Sequence, residues 1–274
     1  MTTPQKPILV LTGTGKAGRH TVAHLRHRGY EVRVGSRKAA IPFHWDDPAS
    51  WEKSLQGVDT VFAAIPDFHV PIRNFIELAE SSGVHRIVGL AGRGGREMVG
   101  APFNEVTTSL EDSTVDWTLL EPTNFNENFS EGVHLEEVLN GQISLPMGDT
   151  TDPYIAVDDV GAVAAEVLTQ PGHAGKVYEL TGPQALTFDQ VCQILSQQIG
   201  STVRFVDLDP SDFAVSVKAD PQLQDIADFM IQMYEILRSG TYSEPTDNVE
   251  KILGREPLEF SEWARRAFTT GAWS

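Results

Sequence analysis

The sequence predicts an α/β fold: a doubly wound parallel sheet with a smaller, mostly helical C-terminal lobe. Three observations predict it. A short apolar run, Ile8–Leu11, ends in the turn Gly13-x-Gly15-x-x-Gly18, and a helix-like segment, Arg19–Arg28, follows at once. Strand-like and helix-like segments then alternate as far as Leu120, a pattern that builds parallel sheets covered by helices on both faces. The 274 residues are 41% hydrophobic and 22% charged, the make-up of an ordinary globular chain.

The elements follow in order. Ile8–Leu11 reads as the first strand, Arg19–Arg28 as the first helix and Glu31–Gly35 as the second strand. Ile41–His44 reads as a short third strand before an Asp-Asp-Pro turn. Trp51–Leu55 is helical with Ser50 as its N-cap. Val58–Ala64 is a strand, and Ile72–Ser81 is a helix ended by Gly83. Arg86–Leu90 is a strand, Glu105–Leu110 part of a helix, and Trp117–Leu120 a strand. Ile143–Leu145, Val177–Leu180 and Val203–Leu208 are shorter strand patches. The alanine-rich Val157–Leu168 is a helix started by Asp158 and Asp159. Helices follow at Thr187–Ile199, Pro210–Val217, Leu223–Ser239 and Phe260–Phe268. There is no repeat, low-complexity tract or linker. We expect a core over 1–150, with 155–182 returning to the sheet edge, and a lobe over 183–274.

The glycine pattern carries the first functional expectation. After a strand and before a helix, such a turn lets backbone approach a pyrophosphate, and the helix N-terminus offers N–H groups and a positive dipole end. Gly13 is expected to supply a positive φ, Gly15 the close approach, and Gly18 the packing of helix on strand. Thr14, Lys16 and Ala17 complete the loop. In an open sheet of this kind a ligand lies beyond the carboxyl ends of the strands. The residues there are Gly13–Gly18, Ser36–Lys38, Ala64–Pro66 (Ala64, Ile65 and Pro66), Ala91–Arg93 (with Gly92) and Glu121–Phe125.

Charge narrows the partners. The net charge of −17 opposes binding to nucleic acid or to an anionic membrane. Basic residues nonetheless gather early, at Lys16, Arg19, Arg26, Arg28, Arg33, Arg37 and Lys38, as an anionic ligand in the first half requires. No apolar run approaches the ~20 residues of a membrane-spanning helix. A single cysteine, Cys192, excludes an internal disulfide, which points to a reducing, cytoplasmic setting, and its amphipathic surroundings make it a packing residue.

The end of the second strand chooses the cofactor. An acidic residue there would bind a ribose 2′-hydroxyl and repel a 2′-phosphate. The chain has Gly35-Ser36-Arg37-Lys38 instead, in which Arg37 can grip a phosphate bidentately and Ser36 can donate a hydroxyl. This favours NADP(H). The other reading of Arg37 and Lys38 is a pair of solvated loop charges.

Five segments resemble the NmrA-like branch of the atypical short-chain dehydrogenase/reductases, close to bacterial relatives of the ergot-alkaloid (festuclavine/agroclavine-type) dehydrogenases. They are Leu11–Gly18, Phe43–Pro48, Ser113–Phe129, Tyr154–Val160 and Tyr178–Pro183. The most specific is Pro122-x-x-Phe125-x-x-Asn128-Phe129. The resemblance implies a Rossmann core, NADP(H), and a substrate cleft between core and lobe. It implies Asp46 as the adenine-edge acceptor, against a plain turn role before Pro48. It adds Pro122, Asn124 and Phe125 to the cofactor side. The sequence departs from the family in a contracted Gly13-x-Gly15 spacing, in Glu121-Pro122 where Arg-Pro is usual, and in Leu90-Ala91-Gly92 at a position often rich in serine.

Chemistry is less legible. The broader superfamily uses Tyr-x-x-x-Lys, whose lysine lowers the pKa of a proton-transferring tyrosine. None of the five tyrosines has lysine four residues on: the partners are Val34, Asp158, Gly182, Arg238 and Thr246. Iminium ions, quinones and conjugated dyes accept hydride without a strong proton donor, so positioning supplies most of the effect. Candidate substrate residues are Asn128, Tyr154, Met230, Met233 and Tyr234, with Asn104, Asn124 and Phe229 beside them in the expected cleft. The stripe on the late helix is either an adaptable apolar pocket or plain core. No metal site is expected, since His69 and His134 lack ligand-like spacing. Two functions follow: an NADPH-dependent reductase of a small planar, quinone-like or iminium-like substrate, as in secondary metabolism, or an NADP(H)-sensing regulator without turnover.

Overall fold

In the computed structural model the described residues are 6–66, 70–95, 103–224 and 226–273, with no side-chain description at 103 and 104. Asn104 as a candidate side chain and His69 therefore lie outside what is described. Contacts divide the chain into two units: Met1–Pro122 with Val157–Leu180 and Asn248–Arg255, and Thr123–Ala156 with Thr181–Asp247 and Glu256–Ser274. Residues 123–150 thus fall in the second unit and 248–255 in the first, where the sequence reading puts each the other way.

The first unit is a seven-stranded sheet in the order β3-β2-β1-β4-β5-β6-β8. Its strands are β1 Ile8–Leu11, β2 Val32–Ser36, β3 Ile41–Pro42, β4 Thr60–Ala64, β5 Arg86–Leu90, β6 Asp116–Pro122 and β8 Lys176–Leu180. Every pairing is parallel. Strand order reverses at β1, between β2 and β4, which creates a crevice at the carboxyl ends. β1 is buried along its whole length, as a central strand covered on both faces must be.

The helices of this unit are α1 Lys16–His27, α2 Pro48–Leu55, α3 Ile72–Ser81, α4 Phe103–Glu111, α6 Val157–Thr169 and α10 Asn248–Leu253. α1 lies against α6, where Gly161 lets the helices approach: a Cβ there would sit 2.6 Å from His20 Cβ. α2 starts three residues before the expected Trp51. Asp47 caps it by accepting from Ala49 N–H at 3.2 Å, Pro48 opens its first turn, and Ser50 lies inside it, donating to the Asp47 carbonyl. Phe43, Trp45, Trp51 and Phe75 meet edge to face in this unit.

The second unit holds a separate parallel pair, β7 Gln142–Leu145 and β9 Arg204–Asp207. Around it lie α5 Leu135–Leu139, α7 Phe188–Ile199, α8 Pro210–Ala219, α9 Ala227–Arg238 and α11 Phe260–Thr269. Thr187 and Gln190 form a capping box at α7, and Gly200 closes it in the left-handed region. Phe129, Tyr154, Phe188, Phe260 and Trp263 anchor its buried core, which includes Cys192. Burial pushes the Cys192 thiol up to about 12, so it packs rather than reacts. No helix among the described residues is long and apolar enough to cross a membrane.

Candidate cofactor and substrate sites

The glycine turn leaves β1 at the centre of the sheet, and its geometry corrects one expectation. The positive φ falls on Thr12, at 51°, and none of Gly13, Gly15 and Gly18 has one. Thr12 is the one non-glycine residue with positive φ among the described residues. Its Oγ1 donates to Leu11 O at 2.6 Å, and its carbonyl accepts from Gly15 N–H at 2.8 Å. The glycines serve close approach instead. A Cβ on Gly18 would lie 2.3 Å from Thr12 O and 2.7 Å from Gly13 Cα, and one on Gly13 would lie 3.0 Å from Val10 O and Val34 Cγ1. Gly15 is the N-cap of α1 and offers no side-chain cap, and the first turn, from Lys16 through Ala17 and Gly18, carries no acidic residue. Helix N–H groups and dipole are therefore left to an anion.

The neighbouring strand ends complete this face of the first unit. Ser36, at the end of β2, is buried, and its Oγ has no hydrogen-bond partner among the described residues. An orphaned buried hydroxyl costs free energy unless a bound group satisfies it. Arg37 and Lys38 follow, both exposed, and Arg37 makes no ion pair among the described residues. A cradle that side chains would fill, an uncapped helix N-terminus and an unsatisfied buried hydroxyl followed in sequence by an exposed arginine fit a phosphorylated dinucleotide. Asp46 is exposed in the turn before α2, and its neighbour Asp47 does the capping. Ala64 ends β4, and Ile65 and Pro66 follow it. Ile65 N–H bonds Leu90 O and Ala91 N–H bonds Leu120 O, each at 3.0 Å, and Arg93 N–H bonds Pro122 O at 2.9 Å. Gly92 has open space where a Cβ would stand. Glu121 of β6 is buried opposite Glu179 of β8, whose Oε2 accepts from Arg93 Nη2 at 2.8 Å.

The remaining candidates lie in the second unit. Residues 123–126 run beside 152–155: Phe125 bridges Ile155, Ile155 N–H bonds Asn124 O at 3.0 Å, and Asn126 N–H bonds Ile155 O at 2.9 Å. Asn124 and Phe125 are half-buried, as is Asn128, whose carbonyl accepts from His134 N–H. Tyr154 is only 3% exposed, ringed by Phe129, Phe188 and Phe260, with an unpartnered hydroxyl. Burial, reinforced by Asp152, pushes its phenol well above the usual value. Tyr234 is buried against Phe213, and its phenol is raised by burial too. Met230 and Met233 are half-buried against the same core, and Phe229 is half-buried on the same helix. The α9 stripe is therefore mostly packing.

Two residues escaped the sequence reading. Asn126 is wholly buried, and neither atom of its amide has a partner among the described residues. Asp152 is buried and accepts from Thr123 Oγ1 and from Asn124 Nδ2. Its contacts lie 28 or 29 positions away in the chain, so no local pattern marks it. No cluster of His, Cys, Asp and Glu able to hold a metal occurs among the described residues.

Sheet order, glycine cradle and strand-end residues define a doubly wound NAD(P)H-binding protein. Comparison with known proteins makes the class specific. The model of the NmrA-like family matches residues 104–269, and an NAD(P)H-binding model matches 13–171. The chain belongs to the NmrA-like family. It is 30% identical to festuclavine dehydrogenase of Aspergillus fumigatus, over 94% of this chain and 97% of that one. It is 28% identical to prestalk A differentiation protein A of Dictyostelium discoideum, over 98% and 95%. Two solved structures share the fold. An NADPH-dependent quinone oxidoreductase from Escherichia coli, complexed with NADPH, superposes with a TM-score of 0.79 at 23% identity, over 95% and 99%. NmrA, a negative transcriptional regulator in complex with NAD, does so with 0.73 at 16% identity, over 98% and 97%.

Proposed function

We propose that this protein is an NADPH-dependent reductase of a small planar, quinone-like or iminium-like substrate, working by direct hydride transfer without a Tyr/Lys pair. The observation that carries the cofactor choice is the buried, unpartnered Ser36 Oγ beside Arg37 at the end of β2, with no carboxylate in that position. A 2′-phosphate would satisfy the hydroxyl and pair with the guanidinium. When bound, NADPH supplies a hydride from its nicotinamide ring. The chain's part is to hold the diphosphate at Gly13–Gly18 and to cover the rings with Ile65, Pro66, Ala91 and Pro122, with Asn128 as a substrate-side candidate of the second unit. Met230 and Met233 add deformable apolar surface. Tyr154 and Tyr234, raised by burial, are poor proton donors and serve packing, which suits an acceptor that needs no acid.

The relatives' names support a reductase: a festuclavine dehydrogenase, and a quinone oxidoreductase of the same fold. The competing reading is a sensor that binds NADP(H) without turnover. It draws on the missing Tyr-x-x-x-Lys and on the fold shared with a transcriptional regulator. NADPH oxidation over a panel of quinones, dyes and imines separates the two. Acceleration by at least one acceptor supports the reductase, and tight NADPH binding with no acceleration by any overturns it. Arg37→Glu is expected to weaken NADPH at least tenfold more than NADH, and equal losses would remove Arg37 from the 2′-phosphate.

A further inference from the structure

A cavity of about 640 Å³ opens at the edge strand β8, wholly within the first unit. Its size is that of a small-molecule site. The end of α6, the turn 170–175, β8 and α10 enclose it. Lys176 is the first residue of β8, so the cavity stands toward the amino ends of the strands, away from the crevice at their carboxyl ends. Lys176 and Tyr178 lie on one face of β8, and Asn248, Lys251 and Ile252 on one face of α10. The walls are anchored. Gly175 N–H bonds Trp117 O at 2.7 Å, and Thr118 Oγ1 donates to His173 O at 2.8 Å, which ties the turn to β6. Asn248 Nδ2 donates to Glu179 O at 2.9 Å, which ties α10 to β8.

The lining is cationic in a chain of net charge −17. Two lysines line it, and its one carboxylate, Glu166, is already paired with Arg28 Nη1 at 2.5 Å. Lys176 makes no ion pair among the described residues. Behind the turn, Arg86 Nη1 donates to Leu168 O at 3.0 Å and to Gln170 O at 3.2 Å. Burial, and after it Lys176, hold the His173 imidazole below its usual value, so it is neutral at neutral pH. Its Nδ1 lies 2.9 Å from the Tyr178 hydroxyl. If the hydroxyl donates, Nε2 keeps its hydrogen, and if the imidazole donates, the hydroxyl keeps its own. One donor is left over in either case. Two ammonium groups and a neutral donor match the double charge and three terminal oxygens of a phosphate monoester better than the single charge of a carboxylate. The Tyr178 ring and Ile252 supply apolar surface for the body that carries the phosphate.

We propose that this cavity is a binding site for a small organic phosphate monoester, separate from the cofactor crevice and independent of whether the protein turns over. The test is calorimetric titration of phenyl phosphate into the full chain with NADP+ in excess, beside benzoate and neutral benzyl alcohol. Phenyl phosphate is expected to bind at least tenfold more tightly than benzyl alcohol and at least threefold more tightly than benzoate, and to move the imidazole proton resonance of His173. Lys176→Ala and Lys251→Ala, both at exposed positions, should each weaken phenyl phosphate at least fivefold while leaving NADP+ affinity unchanged. Equal affinity for phenyl phosphate and benzyl alcohol, or a phosphate affinity that survives both substitutions, overturns the site. Benzoate binding as tightly as phenyl phosphate overturns the assignment to phosphate.

Discussion

At the scale of single residues, the loop after β1 stores strain in Thr12. A β-branched residue at φ 51° is held in a region that costs a non-glycine residue about 1–2 kcal/mol. Thr12→Gly removes that cost but adds backbone entropy to the unfolded chain, about 0.5–1 kcal/mol. The apo protein should therefore melt higher, by about 2 °C, in a thermal scan. A lower melting temperature would show that the Thr12 hydroxyl bond to Leu11 O outweighs the strain. Gly18 is the opposite case. Alanine there drives a methyl group into Thr12 O and Gly13 Cα, which cannot both retreat without opening the turn. Gly18→Ala should cost about 3 kcal/mol of stability or weaken NADPH at least tenfold, read by denaturant unfolding and by cofactor fluorescence. The sequence reading put the positive φ on Gly13 and a close approach on Gly18; the structure moves the first to Thr12 and has backbone crowded against Gly18. The spacing of three glycines is visible in one dimension, whereas φ depends on which residue the chain must turn at, and here that residue precedes the first glycine.

At the scale of elements, α1 owes its placement to α6. Asp158 at the start of α6 accepts from His20 Nδ1 at 3.0 Å and from His24 Nε2 at 2.9 Å, two residues one turn apart on α1. These two hydrogen bonds, first His20 and then His24, hold the Asp158 carboxyl well below the usual carboxylate range. A group whose pKa is lower in the folded state stabilises at pH above its unfolded value, and that stabilisation is lost as pH falls through the folded value. Folding should thus weaken as pH drops below about 4, and Asp158→Asn should be less stable at pH 7 with a shallower acid loss. The gain is modest because the Asp158 side chain is 56% exposed. Parallel slopes for wild type and variant would detach Asp158 from the clamp. Elements of this unit were the most legible in sequence, because buried parallel strands read as apolar runs and the helices between them carry periodic stripes. Ile72–Ser81 and Arg86–Leu90 match residue for residue. The short pieces were not legible: the 3-10 turn Asn126–Phe129, α5 and α10 span four to six residues, too few to show a period. α2 was cut short because Ser50 resembles a cap, while the Asp47-Pro48 pair performs that task.

At the scale of the molecule, the cofactor half of the function is written locally and the substrate half is not. The glycine turn, Ser36 and Arg37 belong to contiguous strand ends whose positions follow from β-α alternation. The substrate candidates depend on long-range packing. Tyr154, which a motif singled out, lies in an aromatic core, while Asp152, which no motif singled out, orients Asn124. The chain carries a net charge of −17, so an anionic cofactor must be held by local groups against the general field. NADPH affinity should therefore depend on ionic strength mainly through Arg37 and the N-terminus of α1. The most direct measurement is single-turnover transfer of deuterium from 4-deuterated NADPH to an iminium acceptor in ordinary water. A reductase of the proposed kind places one deuterium on the former iminium carbon of the product, with little dependence of the transfer rate on pH between about 6 and 9 because no protein acid takes part. Bound cofactor that keeps its deuterium with every acceptor would contradict it and leave a protein that senses NADP(H) without consuming it.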